Sequence, residues 1–254
     1  MKKALLFICL LVAMAPPVHA ANISLYSTGV TSVDASGTPT LTTEGQKDIH
    51  YGITSVNNAA SFDGYNPPTL AQPPVSGAQD AFVVYSYVYP LGTYWVQNGP
   101  NSNWISPSPD TNGVSSIFTY STTFDLAGLD QASARITGSW STDDPGWMFL
   151  NGQLVSSLPY GWMFLQLYGQ QQVGTDAQGN PIYANHDFTL STGFLPGVNT
   201  LEFLVWNSGG GPTGLRVEIA SATANPVPEP GTMLLLGSGL AWLVGYGRRR
   251  MKKQ

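Results

Sequence analysis

The chain has 254 residues, of which 43% are hydrophobic and only 10% are charged, and its one cysteine is Cys9. Residues 21–230 hold three Lys and Arg against all fifteen Asp and Glu, a formal charge of −12. Such an anionic surface repels phosphate backbones and excludes nucleic-acid binding, and with no cysteine after Cys9 the remaining chain has to be stabilised by a packed core.

The first 20 residues are typical of a secretory signal peptide. Lys2 and Lys3 give a charged start, residues 4–15 form an apolar run, and Val18-His19-Ala20 supplies the small residues of a cleavage site. We therefore expect signal peptidase to remove residues 1–20.

Residues 21–224 alternate apolar and polar side chains as β-strands do, with no sustained 3.6-residue apolar period. Four segments show the alternation clearly, and their apolar positions are predicted to face a core: Phe118, Tyr120, Phe124 and Leu126; Ala134, Ile136 and Trp140; Leu201, Phe203 and Val205; Leu215, Val217 and Ile219. Antiparallel strands of this length need two packed sheets to bury their apolar faces. The predicted fold is all-β, a single antiparallel β-sandwich.

Two connections between these strands are predicted to be hairpins. Asn151-Gly152 lies between two short apolar segments, and this dipeptide favours a tight turn because both of its residues adopt positive φ. The segments around Phe203 and Val217, joined by the glycine-rich stretch 207–212, are interpreted as a second hairpin.

The C-terminal residues 225–254 combine three features of a membrane stop signal. Val227-Pro228-Glu229-Pro230 is a rigid motif, residues 231–247 are an uncharged apolar run, and Arg248, Arg249 and Arg250 open the basic tail 248–254. As a helix, the apolar run would extend roughly 25 Å, near the lower limit for crossing a bilayer core. We expect a transmembrane helix whose basic end stays in the cytoplasm; a buried C-terminal helix is the alternative.

This tail resembles the PEP-CTERM sorting signal of Gram-negative bacteria in its motif, its apolar span and its basic block. The resemblance implies recognition by exosortase, a membrane-embedded, transpeptidase-like enzyme that cuts near the motif. It also implies a host that makes exopolysaccharide, and a protein that is anchored in the inner membrane before it reaches the cell surface or the extracellular matrix.

The central domain carries a second resemblance, to the jelly-roll sandwiches of the galactose-binding-like superfamily. The resemblance rests on four segments: Thr123-Phe124-Asp125-Leu126, Trp140-Ser141-Thr142-Asp143-Asp144, Phe149-Leu150-Asn151-Gly152 and the run from Phe194 to Leu201. It implies a jelly-roll-like sandwich. It implies no site, since such modules bind sugars, proteins or nothing known.

Carboxylates that could catalyse hydrolysis of a glycoside are few. Asp143-Asp144 precedes Pro145-Gly146 and is interpreted mainly as a turn. Glu202 and Glu218 fall on outward faces of their strands, with Arg216 as a cross-strand partner, and are interpreted as surface ion pairs. No catalytic residue is assigned, and the protein is expected not to be an enzyme.

Histidines and aspartates give no recognisable catalytic or metal motif. His50 and His186 each neighbour an aspartate, but the chain has no Gly-x-Ser-x-Gly elbow and no spacing typical of zinc ligands. A calcium ion held by oxygens of Asp34, Asp48 and Asp63 remains open, although the spacing is not that of an EF-hand loop.

Aromatic residues are the remaining candidates for ligand contact. Trp95, Trp104, Trp147 and Trp162 fall in or beside predicted loops. Planar rings next to amides and hydroxyls are how proteins hold neutral sugars, so these four are candidate glycan contacts. Packing in the core is the alternative for each, and loss of glycan retention without unfolding in Trp104→Ala would distinguish the two.

The sequence thus leaves three functions open. The first is a non-catalytic, exosortase-sorted surface or matrix protein whose sandwich associates with exopolysaccharide. The second is a secreted hydrolase that acts on glycans, and the third is a purely structural surface protein.

Overall fold

The structure is a computed structural model that describes residues 19–58, 79–86, 88–89, 92–93, 95–158, 171–175, 181–227 and 230–251. Its strands are β1 Ala21–Asn22, β2 Val30–Val33, β3 Pro39–Leu41, β4 Lys47–Asn58, β5 Gln79–Val84, β6 Val88–Tyr89, β7 Gly92–Thr93, β8 Trp104–Ser106, β9 Asn112–Gly113, β10 Ser116–Asp125, β11 Arg135–Asp143, β12 Gly146–Leu150, β13 Gln153–Leu158, β14 Gln171–Thr175, β15 Pro181–Ala184, β16 His186–Leu190, β17 Val198–Asn207, β18 Gly211–Pro212 and β19 Gly214–Ala224. The described helices are a 3₁₀ turn, Gln131–Ser133, and α1, Pro230–Met251. Residues 1–18 of the predicted signal peptide lie outside the described residues.

One continuous antiparallel sheet forms the body of the domain, in the order β13-β12-β17-β10-β4-β5-β8-β19-β11-β16, with β1 paired to β19. The sheet folds over on itself, so that β17 in one layer faces β11 in the other. The ring centroids of Trp140 on β11 and Phe203 on β17 are 5.7 Å apart across this interface. Consecutive strands β10, β11 and β12 alternate between the layers, as in a jelly roll. The predicted all-β sandwich is confirmed.

The core follows the predicted alternation. Phe118, Tyr120, Phe124 and Leu126 of the β10 segment share one buried cluster with Trp140, Phe203 and Val217 from the other predicted strands. Ile117, the neighbour of Phe118 on β10, packs in a separate cluster. A strand turns successive side chains to opposite faces, so the sequence pattern alone is enough to place these residues.

The hairpin predicted at Asn151-Gly152 joins β12 to β13. Both turn residues have positive φ, 50° for Asn151 and 78° for Gly152. The Asn151 side chain also ties the turn to β17, because its Oδ1 accepts from the Thr200 amide at 3.0 Å. The turn is thus fixed by the conformation that the dipeptide favours and by a bond to the neighbouring strand.

The second predicted hairpin is wrong. β17 pairs with β10 and β12, whereas β19 pairs with β11, β8 and β1 in the other layer. The segment 207–212 therefore crosses from one layer to the other instead of reversing within one. Apolar alternation determines which side chains face the core, but it does not determine which strand becomes the partner.

The two ends of the sandwich differ in what they carry. At one end, here called the terminal end, Ala21 pairs with Ala224, so both termini of the domain leave together. At the other, the far end, β11 ends at Asp143, β17 ends at Asn207 and β19 begins at Gly214.

The C-terminal run forms the helix α1, which includes residues 231–247 and Arg248, Arg249 and Arg250. Among the residues that the structure describes, no helix is long and apolar enough to cross a membrane. The crossing predicted for residues 231–247 stays a prediction.

Candidate functional site

Two of the candidate tryptophans lie inside a small cluster at the far end of the sandwich. Trp95 and Trp104 pack with Val84, and their side chains are 1% and 0% exposed. Their ring centroids are 4.3 Å apart. The indole of Trp104 donates to the Val96 carbonyl at 2.7 Å, and the indole of Trp95 donates to Oδ2 of Asp143, also at 2.7 Å.

The third tryptophan is buried as well. Trp147 is 0% exposed and packs with Ile117, Phe149 and Leu204 on the other face of the β10–β12–β17 layer. A ring with no exposed face offers no surface on which a sugar can stack, so packing, the alternative interpretation, describes Trp95, Trp104 and Trp147. Trp162 lies outside the described residues.

The acidic pair is a buried tie between loops at the far end and does more than form a turn. Oδ2 of Asp143 accepts the Trp95 indole, and the Asp143 carbonyl accepts the Thr213 hydroxyl at 2.7 Å. Oδ2 of Asp144 accepts both the amide and the hydroxyl of Ser208, at 2.8 and 3.0 Å. Each carboxylate thus holds a different loop against the corner between β11 and β12.

Burial has an electrostatic consequence for this pair. Removal from water, together with the charge of Asp144, raises the pKa of Asp143 from 3.8 to about 8, although the hydrogen bond from Trp95 opposes the shift. Burial also raises the pKa of Asp144, against the two bonds from Ser208. A buried charge is unfavourable unless it is paired, and among the described residues no Lys or Arg forms an ion pair with either group.

Arg216 is a buried clamp: it forms the predicted ion pair with Glu218, but the guanidinium is buried and the pair runs along β19 instead of across two strands. Its side chain is 5% exposed and pairs with Glu218, two residues along β19, at 3.5 Å. Its Nε donates to the Ser102 hydroxyl at 2.9 Å and its NH1 to the Gln97 carbonyl. Glu202, the other predicted partner, lies on β17 in the opposite layer. Arg216 therefore fixes the loop over residues 97–102 to β19.

The histidine and aspartate candidates of the first half of the chain have structural partners. Asp48 is buried and accepts from the amides of Gly29, His50 and Tyr51 at 2.6, 2.8 and 2.9 Å. These bonds hold β4 where its register with β5 shifts. Asp34 stabilises an exposed turn by accepting from the amides of Ser36 and Thr38.

A metal site is not evident in this part of the molecule. Within the part of the chain that the structure describes, no three His, Cys, Asp or Glu side chains come together as metal ligands. Asp63, the third residue of the candidate calcium set, lies outside that part. His186 and Asp187 occupy β16, at the edge of the sheet.

A lateral cleft of about 620 Å³ lies where residues 22–27, the β2–β3 hairpin and the C-terminal half of β19 meet. Pockets for small ligands commonly measure roughly 300–1,000 Å³. Tyr26 is half-buried in the cleft wall, where His50 stacks on its ring with centroids 3.8 Å apart and planes 4° apart. The polar lining comes from amides, hydroxyls and two carboxylates: Asn22, Ser24, Asn101, Ser221, Asp34 and Glu218.

Sequence reasoning missed this cleft because its walls are remote in the chain. Asn22 and Ala222 line the same cavity and are brought together by the pairing of β1 with β19. Tyr26 was not singled out, because a lone tyrosine in an alternating segment has no signature of its own. Tyr26 lines the same cleft as Asn101 and Glu218 because of strand pairings that the sequence did not predict.

Comparison with known proteins identifies the tail. Residues 226–251 match the PEP-CTERM protein-sorting motif, which indicates an exported protein that exosortase sorts and whose C-terminus is anchored in the membrane before processing. The match covers this segment alone. No curated protein matches the chain.

Solved structures similar to the chain include a β-glucosidase from Kluyveromyces marxianus, with 11% identity and a TM-score of 0.32 over 80% of this chain and 20% of that one. A GH31 α-xylosidase from Xanthomonas citri has 12% identity and a TM-score of 0.26 over 84% and 18% of the two chains. The PA14 sugar-binding domain from an RTX adhesin has 16% identity and a TM-score of 0.22 over 56% and 95%. The chain thus spans about a fifth of the length of the β-glucosidase. At these TM-scores the similarity supports no functional argument.

Proposed function

We propose that this protein is a non-catalytic component of the envelope of a Gram-negative bacterium that associates with exopolysaccharide through the lateral cleft. The sorting motif supports export and exosortase processing. The cleft supports the association, because it combines a half-buried aromatic ring with amide and hydroxyl groups at its rim. It is the observation on which the proposal rests, in place of the buried tryptophans.

The charge of the cleft favours neutral glycans over anionic ones. Asp34 and Glu218 both line it, and Arg216, which pairs with Glu218, is buried and only 4% exposed. An anionic polysaccharide would therefore meet like charge without a compensating surface cation in the cleft. The ligand that fits this lining is a neutral glycan, held by hydroxyl hydrogen bonds and by packing on the tyrosine ring.

The same two carboxylates support a role without catalysis. A glycosidase needs a protonated carboxyl group as a general acid, with a raised pKa. Hydrogen bonds from Ser36 and Thr38 instead hold the pKa of Asp34 below its usual value, so this group is ionised at neutral pH. Glu218 is engaged with Asn101 at 3.2 Å, with Ser102 at 3.0 Å and with Arg216.

A glycan-retention assay with full-length protein in detergent tests the proposal. Tyr26→Ala removes the ring from the cleft, and we expect retention on a neutral polysaccharide to fall roughly tenfold, the effect of losing one aromatic contact. Tyr85→Ala is the matched control, because Tyr85 is 74% exposed and does not line the cleft. Circular dichroism checks that both variants stay folded.

Three other results of this assay would each contradict part of the proposal. New reducing ends released from the polysaccharide would contradict the non-catalytic role and favour the hydrolase. Equal retention of Tyr26→Ala and Tyr85→Ala would show that the glycan does not bind on Tyr26 in the cleft. No retention of the unaltered protein by any neutral glycan would favour a purely structural surface protein.

A further inference from the structure

Residues 225–227, which end three positions before the first residue of the sorting helix, are paired with the folded domain. The Asp130 amide donates to the Asn225 carbonyl at 2.7 Å, and the Val227 amide donates to the Gly128 carbonyl at 2.9 Å. Between these two bonds, Leu129 and Pro226 face each other as an antiparallel bridge. The segment 225–227 therefore forms an isolated antiparallel bridge with the loop 128–130, beyond the end of β19.

The partner of this segment is itself well ordered by local bonds. Asp130 caps the 3₁₀ turn Gln131–Ser133, with its Oδ1 accepting from the Ala132 amide at 3.0 Å. The Ser133 hydroxyl donates to the Asp130 carbonyl at 2.7 Å and accepts from the Asn225 amide at 2.8 Å. Segment 225–227 thus lies against a turn that has stabilising hydrogen bonds of its own.

Processing enzymes commonly bind an extended substrate through its backbone amides and carbonyls. The amides of Asn225 and Val227 and the carbonyl of Asn225 are already bonded to the domain. While they are paired in this way, the two amides cannot also donate to an enzyme. A cut before or within 225–227 would require this pairing to open first, whereas a cut further along the chain would leave it intact.

From this geometry we infer that Asn225, Pro226 and Val227 are a retained part of the folded domain, and that exosortase cuts on the C-terminal side of Val227. The inference rests on exosortase sorting of the chain and adds where the modified C-terminus lies. The processed end then leaves the domain at the terminal end, next to Ala21, which pairs with Ala224.

The intact mass of the processed protein from its own host tests the inference directly. We expect a C-terminus at or beyond Val227. A C-terminus at Pro226 or earlier would overturn the inference while leaving exosortase sorting intact. A chain that keeps its whole tail would instead contradict the sorting on which the inference rests.

A disulfide across the bridge tests whether the pairing has to open. Leu129→Cys with Pro226→Cys places two cysteines at facing positions of an antiparallel pair, where Cα atoms are roughly 4.5 Å apart, and residues 21–254 contain no other cysteine. We expect the oxidised double variant to be processed at the same rate as when reduced. Blocked processing that a reductant restores would overturn the inference, and the two single-cysteine variants control for each substitution.

Discussion

At the scale of single residues, Asp143 is an acid in an unfavourable place for a charge. Its neighbour Asp144 carries the same charge, and its bonding partner Trp95 supplies only one neutral donor. The hydrogen bond from Trp95 to Asp143 nevertheless joins β11 to the cluster of Trp95, Trp104 and Val84. The corner is therefore organised by hydrogen bonds that a neutral carboxyl group or an amide would make equally well.

This position predicts that stability falls as pH rises. Burial raises the pKa of Asp143 from 3.8 to about 8, so between these values the folded chain keeps a proton that the unfolded chain releases. The free energy of unfolding should decrease by a few kcal/mol from about pH 5 to pH 8. Asp143→Asn should be more stable than the unaltered protein at pH 8 and should lose most of this pH dependence, measured by denaturant unfolding. The exposed Asp187→Asn is the control; a pH dependence unchanged by Asp143→Asn would contradict the account.

The tryptophans show that the sequence does not determine whether a ring at a strand end is buried. Their position beside predicted strand ends suggested exposed rings, and Trp104 does begin β8. Yet Trp104 is 0% exposed, because it packs against Trp95 and Val84 and its indole donates to the Val96 carbonyl. Whether a ring at a strand end is covered depends on the loop conformation, which no local pattern specifies.

At the scale of elements, β19 organises the lateral cleft and the loop beside it. Its residues Glu218, Ile219 and Ala220 form one wall, while Arg216 holds the segment 97–102 that brings in Asn101. The sequence predicted β19 as a strand and placed Val217 in the core correctly. It assigned Arg216 to the surface because charged residues are rarely buried unless they are paired.

Arg216→Met should loosen this loop without unfolding the sandwich. The substitution keeps an apolar stem but removes the bonds to Ser102, Gln97 and Glu218, at a cost of about 2 kcal/mol. We expect amide hydrogen exchange to accelerate in residues 97–104, with β10 and β17 still protected.

Arg135→Met is the matched control for this experiment, because Arg135 is an exposed cation on β11. Equal protection of residues 97–104 in both variants would show that Arg216 does not hold the loop. The measurement also bears on the cleft, since Asn101 would lose its fixed place beside Glu218.

The sheet topology was predicted only in part, because local turn signals do not specify which strands pair. The Asn151-Gly152 hairpin was correct because its signal is local and steric. The proposed β17–β19 hairpin was wrong because β17 pairs along all ten of its residues with β10, from Val198 opposite Asp125 to Asn207 opposite Ser116. β17 thus pairs with β10, which is distant in the chain but equal in length, instead of with the nearby β19.

At the scale of the whole molecule, the sandwich has its two connections to the export pathway on one side. Ala21 follows the predicted signal-peptide cut and pairs with Ala224, and residues 225–227 continue from there toward the sorting helix. Both connections therefore leave the domain at its terminal end. The acidic corner and the tryptophan cluster are left at the far end.

The central claim is that residues 21–227 are the delivered protein and that both flanking segments serve delivery. Fractionation of wild-type cells followed by intact-mass measurement of the recovered protein tests it most directly. The account predicts a cell-surface or extracellular species that begins at Ala21 and lacks most of α1. Full-length chain in the cytosol, uncut at both ends, would contradict it.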